Sequence, residues 1–412
     1  MKYRKFILIG IYLFVFLVPL IPFKLKVSVI PVAVDFILIT YMVFIIFLML
    51  FNKKRRKILY DNLKSFIGNK LFLWIVVYTA ACFLSLFPAV DKAIVITELI
   101  RFWTYIFMLF VIFTFVDSQK EISNIVKLTM LSVFIAGLIG LLQYALGDNT
   151  FPNPEMIGSA GRVYATFVNP NFWGAFINLL IFPALILAVR KVKHYKYIYI
   201  FIFTVFVNLI LTYTRGSWLG FVIGLLLFII LFNKKLLIPI LVIAPVSLFI
   251  TGIRSRVFSI FDTNSWTIIE RFKLWETGYL MFKEHPVLGV GNGNYLRRYS
   301  DYINKYSELS LGRDEYAVHN TYIKVMAETG IIGIIPFIMV IIYFIKEIYH
   351  VFKKPADSLA KDISLAFMCS IVSYLIQNIS NEMFFVPQVH VFYWIIGALV
   401  IKYNRLKSQH ID

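Results

Sequence analysis

The feature that most limits how this chain can fold is the recurrence of apolar runs of about 17 to 25 residues separated by short polar stretches. A run of that length crosses the ~30 Å hydrocarbon core of a bilayer as a helix, which satisfies its own backbone polar groups there. The residues are 60% hydrophobic and only 15% charged, with mean hydropathy +0.80, well outside the range of soluble globular domains. The weaker alternation of a β-barrel is absent from the runs. The chain reads as an all-α integral membrane protein.

The runs predict about 12 transmembrane helices, over 6–22, 28–51, 71–88, 94–116, 122–146, 166–189, 197–213, 216–232, 235–250, 328–345, 363–380 and 384–401. The first has a basic start but is too long for a signal-peptide core, and no small-residue cleavage site follows it. It is expected to be a retained span. No duplicated halves and no low-complexity linker stand out. One polytopic domain over 1–412 is expected, with one large loop, 251–318, between helices 9 and 10.

A formal net charge of +19 raises nucleic acid as a partner, and the location of the charge argues against it. With a cytoplasmic N-terminus, the inside segments hold 24 Lys and Arg, KKRRK at 53–57 and RKVKHYK at 190–196 among them, and the short outside loops hold five. Positive charge concentrated on one side of the membrane sets orientation. Both termini are therefore expected in the cytoplasm and loop 251–318 outside it. Cys82 and Cys369 fall inside spans, without CxxC or metal-ligand spacing, and read as small core residues.

The loop is too short for a separate enzyme domain and too aromatic for a plain linker. In SWTIIERFKLWETGYLMFKEHP, residues Ile268, Phe272, Trp275, Tyr279 and Phe282 recur at helical spacing, which predicts an amphipathic helix packed on the bundle and ended by Pro286. Arg271 flanks that stripe. In PVLGVGNGNYLRRY, the glycines at 289, 291 and 293 lack the spacing and context of a phosphate loop, so a tight turn is expected. In VHNTYIKVMAETGIIG, Asn320 is a suitable N-cap for a helix 321–329, and Gly330 suits the position just past its end. His319 would then precede a helix N-terminus, whose positive end favours a neutral, proton-accepting ring. A structural hydrogen-bonding role for His319 is the competing reading.

Three arginines share the outside face: Arg162 in SAGRVYATFVNPNFWGAF, Arg215 in LTYTRGSWLGF, and Arg271. Arg215 is also readable as a snorkelling anchor, and Asn169 with Asn171 as a helix cap. Guanidinium forks bind phosphate oxygens, so arginines beside a neutral histidine suit displacement of a phosphorylated leaving group. The pairs Glu98–Arg101 and Lys324–Glu328 have helical spacing and read as internal salt bridges, whereas Asp35 has no local partner.

His319-Asn320, nine residues, then Gly330-Ile331-Ile332-Gly333, taken with Arg215-Gly216-Ser217-Trp218-Leu219, resembles the O-antigen ligase and polymerase superfamily of bacterial envelope glycan enzymes. The stretches RVYATFVNPNFWGAF and RFKLWETGYLMFKEHPVLGVGNGNY also look like that family. The resemblance implies a metal-independent, inverting glycosyltransferase without a cofactor, in the cytoplasmic (inner) membrane. It would move glycan from an undecaprenyl-pyrophosphate donor to an acceptor hydroxyl outside the cytoplasm. It further implies His319 as base, Arg215 and Arg271 as pyrophosphate ligands with Arg162 a looser transfer, and Asn320, Gly330 and Gly333 in support. The acceptor would be a lipid such as the core of lipopolysaccharide, a growing glycan, or a protein. Ligase and repeat-unit polymerase share these motifs, and a transporter of lipid-linked glycan is the alternative of a different class.

Overall fold

The computed structural model describes residues 2–21, 25–27, 30–32, 34–50, 53–147, 161–167, 169–236, 249, 254–255, 258 and 265–409. Helices dominate: α1 (Lys2–Leu17), α2 (Val34–Leu50), α3 (Lys53–Ile67), α4 (Lys70–Leu84), α5 (Lys92–Phe115), α6 (Gln119–Leu146), α7 (Pro170–Val189), α8 (Tyr195–Leu211) and α9 (Arg215–Phe232). After the described part of the loop come α10 (Trp266–Glu284), α11 (Tyr295–Lys305), α12 (Thr321–Lys353), α13 (Ser358–Gln377) and α14 (Pro387–Ser408). Leu25–Val27 and Ile30–Val32 pair as two short antiparallel strands.

Helix starts follow the local chemistry. Asn69, Asp91, Ser118, Asn169, Asn320 and Asp357 each accept a backbone N–H of the first turn they precede. Six helices, α5, α6, α7, α9, α12 and α13, are long and apolar enough to cross a membrane, or seven if the bent pair α2–α3 forms one span. The twelve apolar runs exceed that number partly because α1, α4 and α8 have 16, 15 and 17 residues, below the ~20 of a full crossing. The run 235–250 lies almost wholly outside the described residues. The KKRRK segment, expected as a loop, opens the charged helix α3.

The core forms where α13 lies between α7 and α9, α12 packs on α4, and α14 packs on α5. Close approach of α9 to α13 needs small residues, since a side chain at Gly220 or Gly224 would meet the backbone of Ser373 or Cys369. Cys82 and Cys369 are buried and unpaired, as expected of core residues.

Ion pairs sort the helix ends. Arg4 binds Asp117 at 2.9 Å and Glu121 at 2.6 Å, and Lys402 Nζ reaches Asp117 at 3.7 Å. Thus the N-terminus, the α5–α6 turn and the end of α14 meet at one end of the bundle, as the charge pattern predicts. Asp35, without a local partner in sequence, pairs with Arg101 at 2.9 Å, and Arg101 also binds Glu98. The short pair Lys324–Glu328 also forms, at 2.6 Å.

One expectation is corrected. The amphipathic helix α10 does pack on α12, but through Leu274, Thr277, Gly278 and Met281, while Phe272 and Tyr279 of the expected stripe are 60% and 54% exposed. Gly278 explains this, because it lies against Ile323 and admits the close approach that bulky aromatics deny.

Candidate functional site

The site is assembled at the start of α12. Asn320 Oδ1 accepts the N–H groups of Tyr322 and Ile323 at 2.9 and 3.0 Å and caps the helix. The helix then breaks at Gly330, whose φ of 62° and ψ of −161° belong to a region essentially reserved for glycine. A side chain there would strike the Val287 carbonyl, and one at Gly333 would strike Thr329. The Gly-x-x-Gly spacing is therefore a backbone requirement: Gly330 makes the break, and Gly333 clears the Thr329 side chain that the break displaces.

The glycine-rich turn completes that break. Val290 and Gly291 donate N–H bonds to the carbonyls of Ala327 and Glu328, and Ile331 N–H returns one to Pro286. Gly293 N–H (2.8 Å) and Tyr295 N–H (3.1 Å) both point at the carboxylate of Glu328, which is fully buried. The turn cradles an anion, and the anion is an internal carboxylate, with Lys324 as its counter-ion.

His319 stands one residue before the cap with φ +52°, a left-handed conformation that costs a non-glycine residue ~1–2 kcal/mol. Its backbone N–H is held by Glu382 Oε1 at 2.8 Å. The ring is half-buried and meets Tyr316 edge-on at 6.2 Å, and the Tyr316 hydroxyl in turn bonds Glu270 on α10. Desolvation lowers the imidazole pKa, Glu382 acts to raise it, and Arg271 lowers it. The net lowering favours the neutral ring, which is able to accept a proton.

Arg271, on α10 and half-buried, is held below the usual guanidinium pKa by burial and then by the charge of Arg215, with Glu270 opposing. Two guanidiniums close enough to repel are relieved by an anion between them. Arg215 is the first residue of α9, and the start of that helix lies against Ser380, so it shares the α13–α14 link with His319. Arg162 Nε donates to the Thr212 carbonyl at 2.9 Å, three residues before Arg215, and its NH2 lies 3.4 Å from Asn171 Oδ1. Asn169 caps α7, as its position before Pro170 predicts.

The structure thus brings Arg215, Arg271 and His319 together, with Arg162 tied to the backbone that leads into Arg215. The α13–α14 link was read only as a boundary between spans. Its run QNISNE supplies Gln377 to Ser217 Oγ (2.7 Å), the carbonyls of Asn378 and Asn381 to Thr321 N–H (3.0 and 3.1 Å), and Glu382 to His319. Six consecutive residues, mostly polar, between two apolar helices were the available signal. Phe384 and Phe385, with Glu98, Arg101, Asn292 and His390, line a cavity of about 30 Å³, room for about two waters. Among the described residues no cluster of three or more His, Cys, Asp or Glu has metal-binding geometry.

Residues 200–338 match the family model described as O-antigen ligase, about a third of the chain, taking in Arg215, Arg271, His319, Gly330 and Gly333. The chain is similar to an uncharacterized protein of Haemophilus influenzae, 27% identical over 53% of this chain and 58% of that one. It is also similar to the teichuronic acid biosynthesis protein TuaE of Bacillus subtilis, 21% identical over 72% of this chain and 63% of the relative. Over 24% of its length it is 31% identical to 23% of the exopolysaccharide production protein ExoQ of Rhizobium meliloti. The aligned stretches cover less than two thirds of each relative's own length.

Proposed function

We propose, from the premise that this chain carries an O-antigen ligase domain, that it is a glycosyltransferase acting on a lipid-linked glycan at the extracytoplasmic face of the cell membrane. The observation that carries the reading is the convergence of Arg215 and Arg271 beside His319, around the α13–α14 link. The donor is a glycan on undecaprenyl pyrophosphate, whose headgroup anion offsets the repulsion of the two guanidiniums.

In the step, the acceptor oxygen attacks the anomeric carbon from the face opposite the pyrophosphate, which inverts that centre. The new C–O bond forms as the acceptor proton passes to the His319 imidazole. The anomeric C–O bond to pyrophosphate breaks, its electron pair stays on the phosphate oxygen, and Arg215 and Arg271 stabilise that charge, with Arg162 adding to the positive field. The loop helix α10 carries Arg271, so 251–318 is part of the active site. Both termini lie in the cytoplasm, in keeping with the basic residues gathered at the opposite end of the bundle.

A repeat-unit polymerase, whose acceptor is a second lipid-linked glycan, is the second reading, favoured by relatives named for teichuronic acid and exopolysaccharide. The test is release of undecaprenyl pyrophosphate by the protein in liposomes, with EDTA present, on addition of donor and acceptor. His319→Ala is expected to abolish release while keeping the folded helical spectrum. A fully active variant refutes the base, and passage of donor across the bilayer without transfer identifies a transporter.

A further inference from the structure

Glu382 is the charged group that grips His319 directly. Glu382 lies in the α13–α14 link, beyond the stretch that matches the family model. Its Oε1 accepts the His319 backbone N–H across 63 residues of chain, and His319 is one of five non-glycine residues with positive φ among the described residues. Such a conformation persists only when its surroundings hold it. The link is itself fixed, since Asn378 and Asn381 carbonyls take the Thr321 N–H and Asn378 Oδ1 takes the Thr321 hydroxyl at 2.6 Å. The second carboxylate oxygen of Glu382 is 3.9 Å from Lys324 Nζ, which is committed to Glu328 at 2.6 Å. The charge of Glu382 is thus only weakly neutralised by Lys324.

The imidazole is faced by Arg271 from α10, Tyr316 from the segment before α12 and Glu382 from the link; behind these stand Arg215 from α9 beside Arg271, Glu270 from α10 bonded to Tyr316, and Lys324 from α12 near Glu382. Partial burial and the Arg271 guanidinium make the imidazole a poorer proton acceptor. We propose that Glu382 is a positioning residue for the transfer: it fixes His319 through the backbone and, by its negative charge, keeps the imidazole basic beside the arginines. The proposal rests on the reading of His319 as the base.

The test separates grip from charge. Glu382→Gln keeps a carbonyl oxygen for the His319 N–H and removes the charge, whereas Glu382→Ala removes both. In the full-length protein with 13C-labelled histidine, the chain's six His signals are titrated by NMR, and the one missing from His319→Ala identifies residue 319. Glu382→Gln is expected to move its midpoint to lower pH and to lower kcat for undecaprenyl-pyrophosphate release ~10-fold with donor KM unchanged. Glu382→Ala is expected to lose ~100-fold, as a base displaced by about 1 Å does. A midpoint that stays in place or rises in Glu382→Gln overturns the proposal, whatever happens to the Ala variant, whose thermal unfolding is followed alongside. If His319→Ala transfers at full rate, the base reading falls and with it the catalytic role of Glu382, while the titration still decides whether Glu382 tunes the ring.

Discussion

Replacing Glu328 by alanine tests whether the glycine-rich turn is held by a carboxylate. The side chain is fully buried and receives the N–H groups of Gly293 and Tyr295 and the ammonium of Lys324. Each hydrogen bond to a charged group is worth ~1.5–3 kcal/mol, so the two backbone bonds account for ~3–6 kcal/mol. Removing one partner of a buried ion pair costs ~3–5 kcal/mol, a term that overlaps with the first and is reduced by Glu382 at 3.9 Å from Lys324. A net loss of ~4–6 kcal/mol is comparable with the ~5–15 kcal/mol that stabilises a whole domain, so the turn opens before the bundle does. Hydrogen exchange followed by mass spectrometry reads this directly: a loss of 4 kcal/mol speeds exchange at Gly293 and Tyr295 by ~10³. Glu328→Gln, which keeps a weaker neutral acceptor, should fall between. Exchange in Glu328→Ala within tenfold of the parent at both amides would refute the cradle.

Gly330→Ala is expected to destabilise the purified protein by at least ~3 kcal/mol, seen as a lower unfolding temperature, because both its dihedrals and the Val287 carbonyl oppose a methyl group. Gly333→Ala should cost less, since only the Thr329 side chain stands in the way; equal losses would count against the backbone argument. Arg271→Lys retains charge without the fork and is expected to slow transfer ~10-fold, against ~10²–10³ for Arg271→Ala, in steady-state release assays. Burial lowers the His319 pKa and the base must be neutral, so protonation and loss of rate come only at lower pH than for an ordinary histidine. The rate should therefore be flat from about pH 8 down to ~6.5 and fall below it; an acid limb above that value contradicts the assignment.

How much of this was legible depended on how local the cause was. The cap at Asn320 and the break at Gly330 follow from residues within one turn, and the expected helix 321–329 has those ends. The pairing of Lys324 with Glu328 was legible for the same reason. Arg215, Arg271 and His319 come from three separate elements, so spacing alone could not bring them together; the charge pattern put them on one face, and the resemblance implied their separate roles. Glu382 was missed because nothing near it in the chain says that the link folds back on His319. The face of α10 was misassigned because both faces are apolar, and the small residues Thr277 and Gly278 decide which one packs. The glycines predicted the tight turn but not its anion, because Glu328 lies well along the chain.

The reach of the α13–α14 link has a consequence for biogenesis. His319 leaves the ribosome 63 residues ahead of Glu382, and the start of α9 waits still longer for Ser380. Intermediates of membrane insertion that end between residues 319 and 380 contain the histidine and the arginines but lack the clasp that sets their geometry. On the proposed function, the chain becomes competent only when its final helical hairpin has been delivered, and a C-terminally clipped copy is expected to hold its donor poorly aligned and idle.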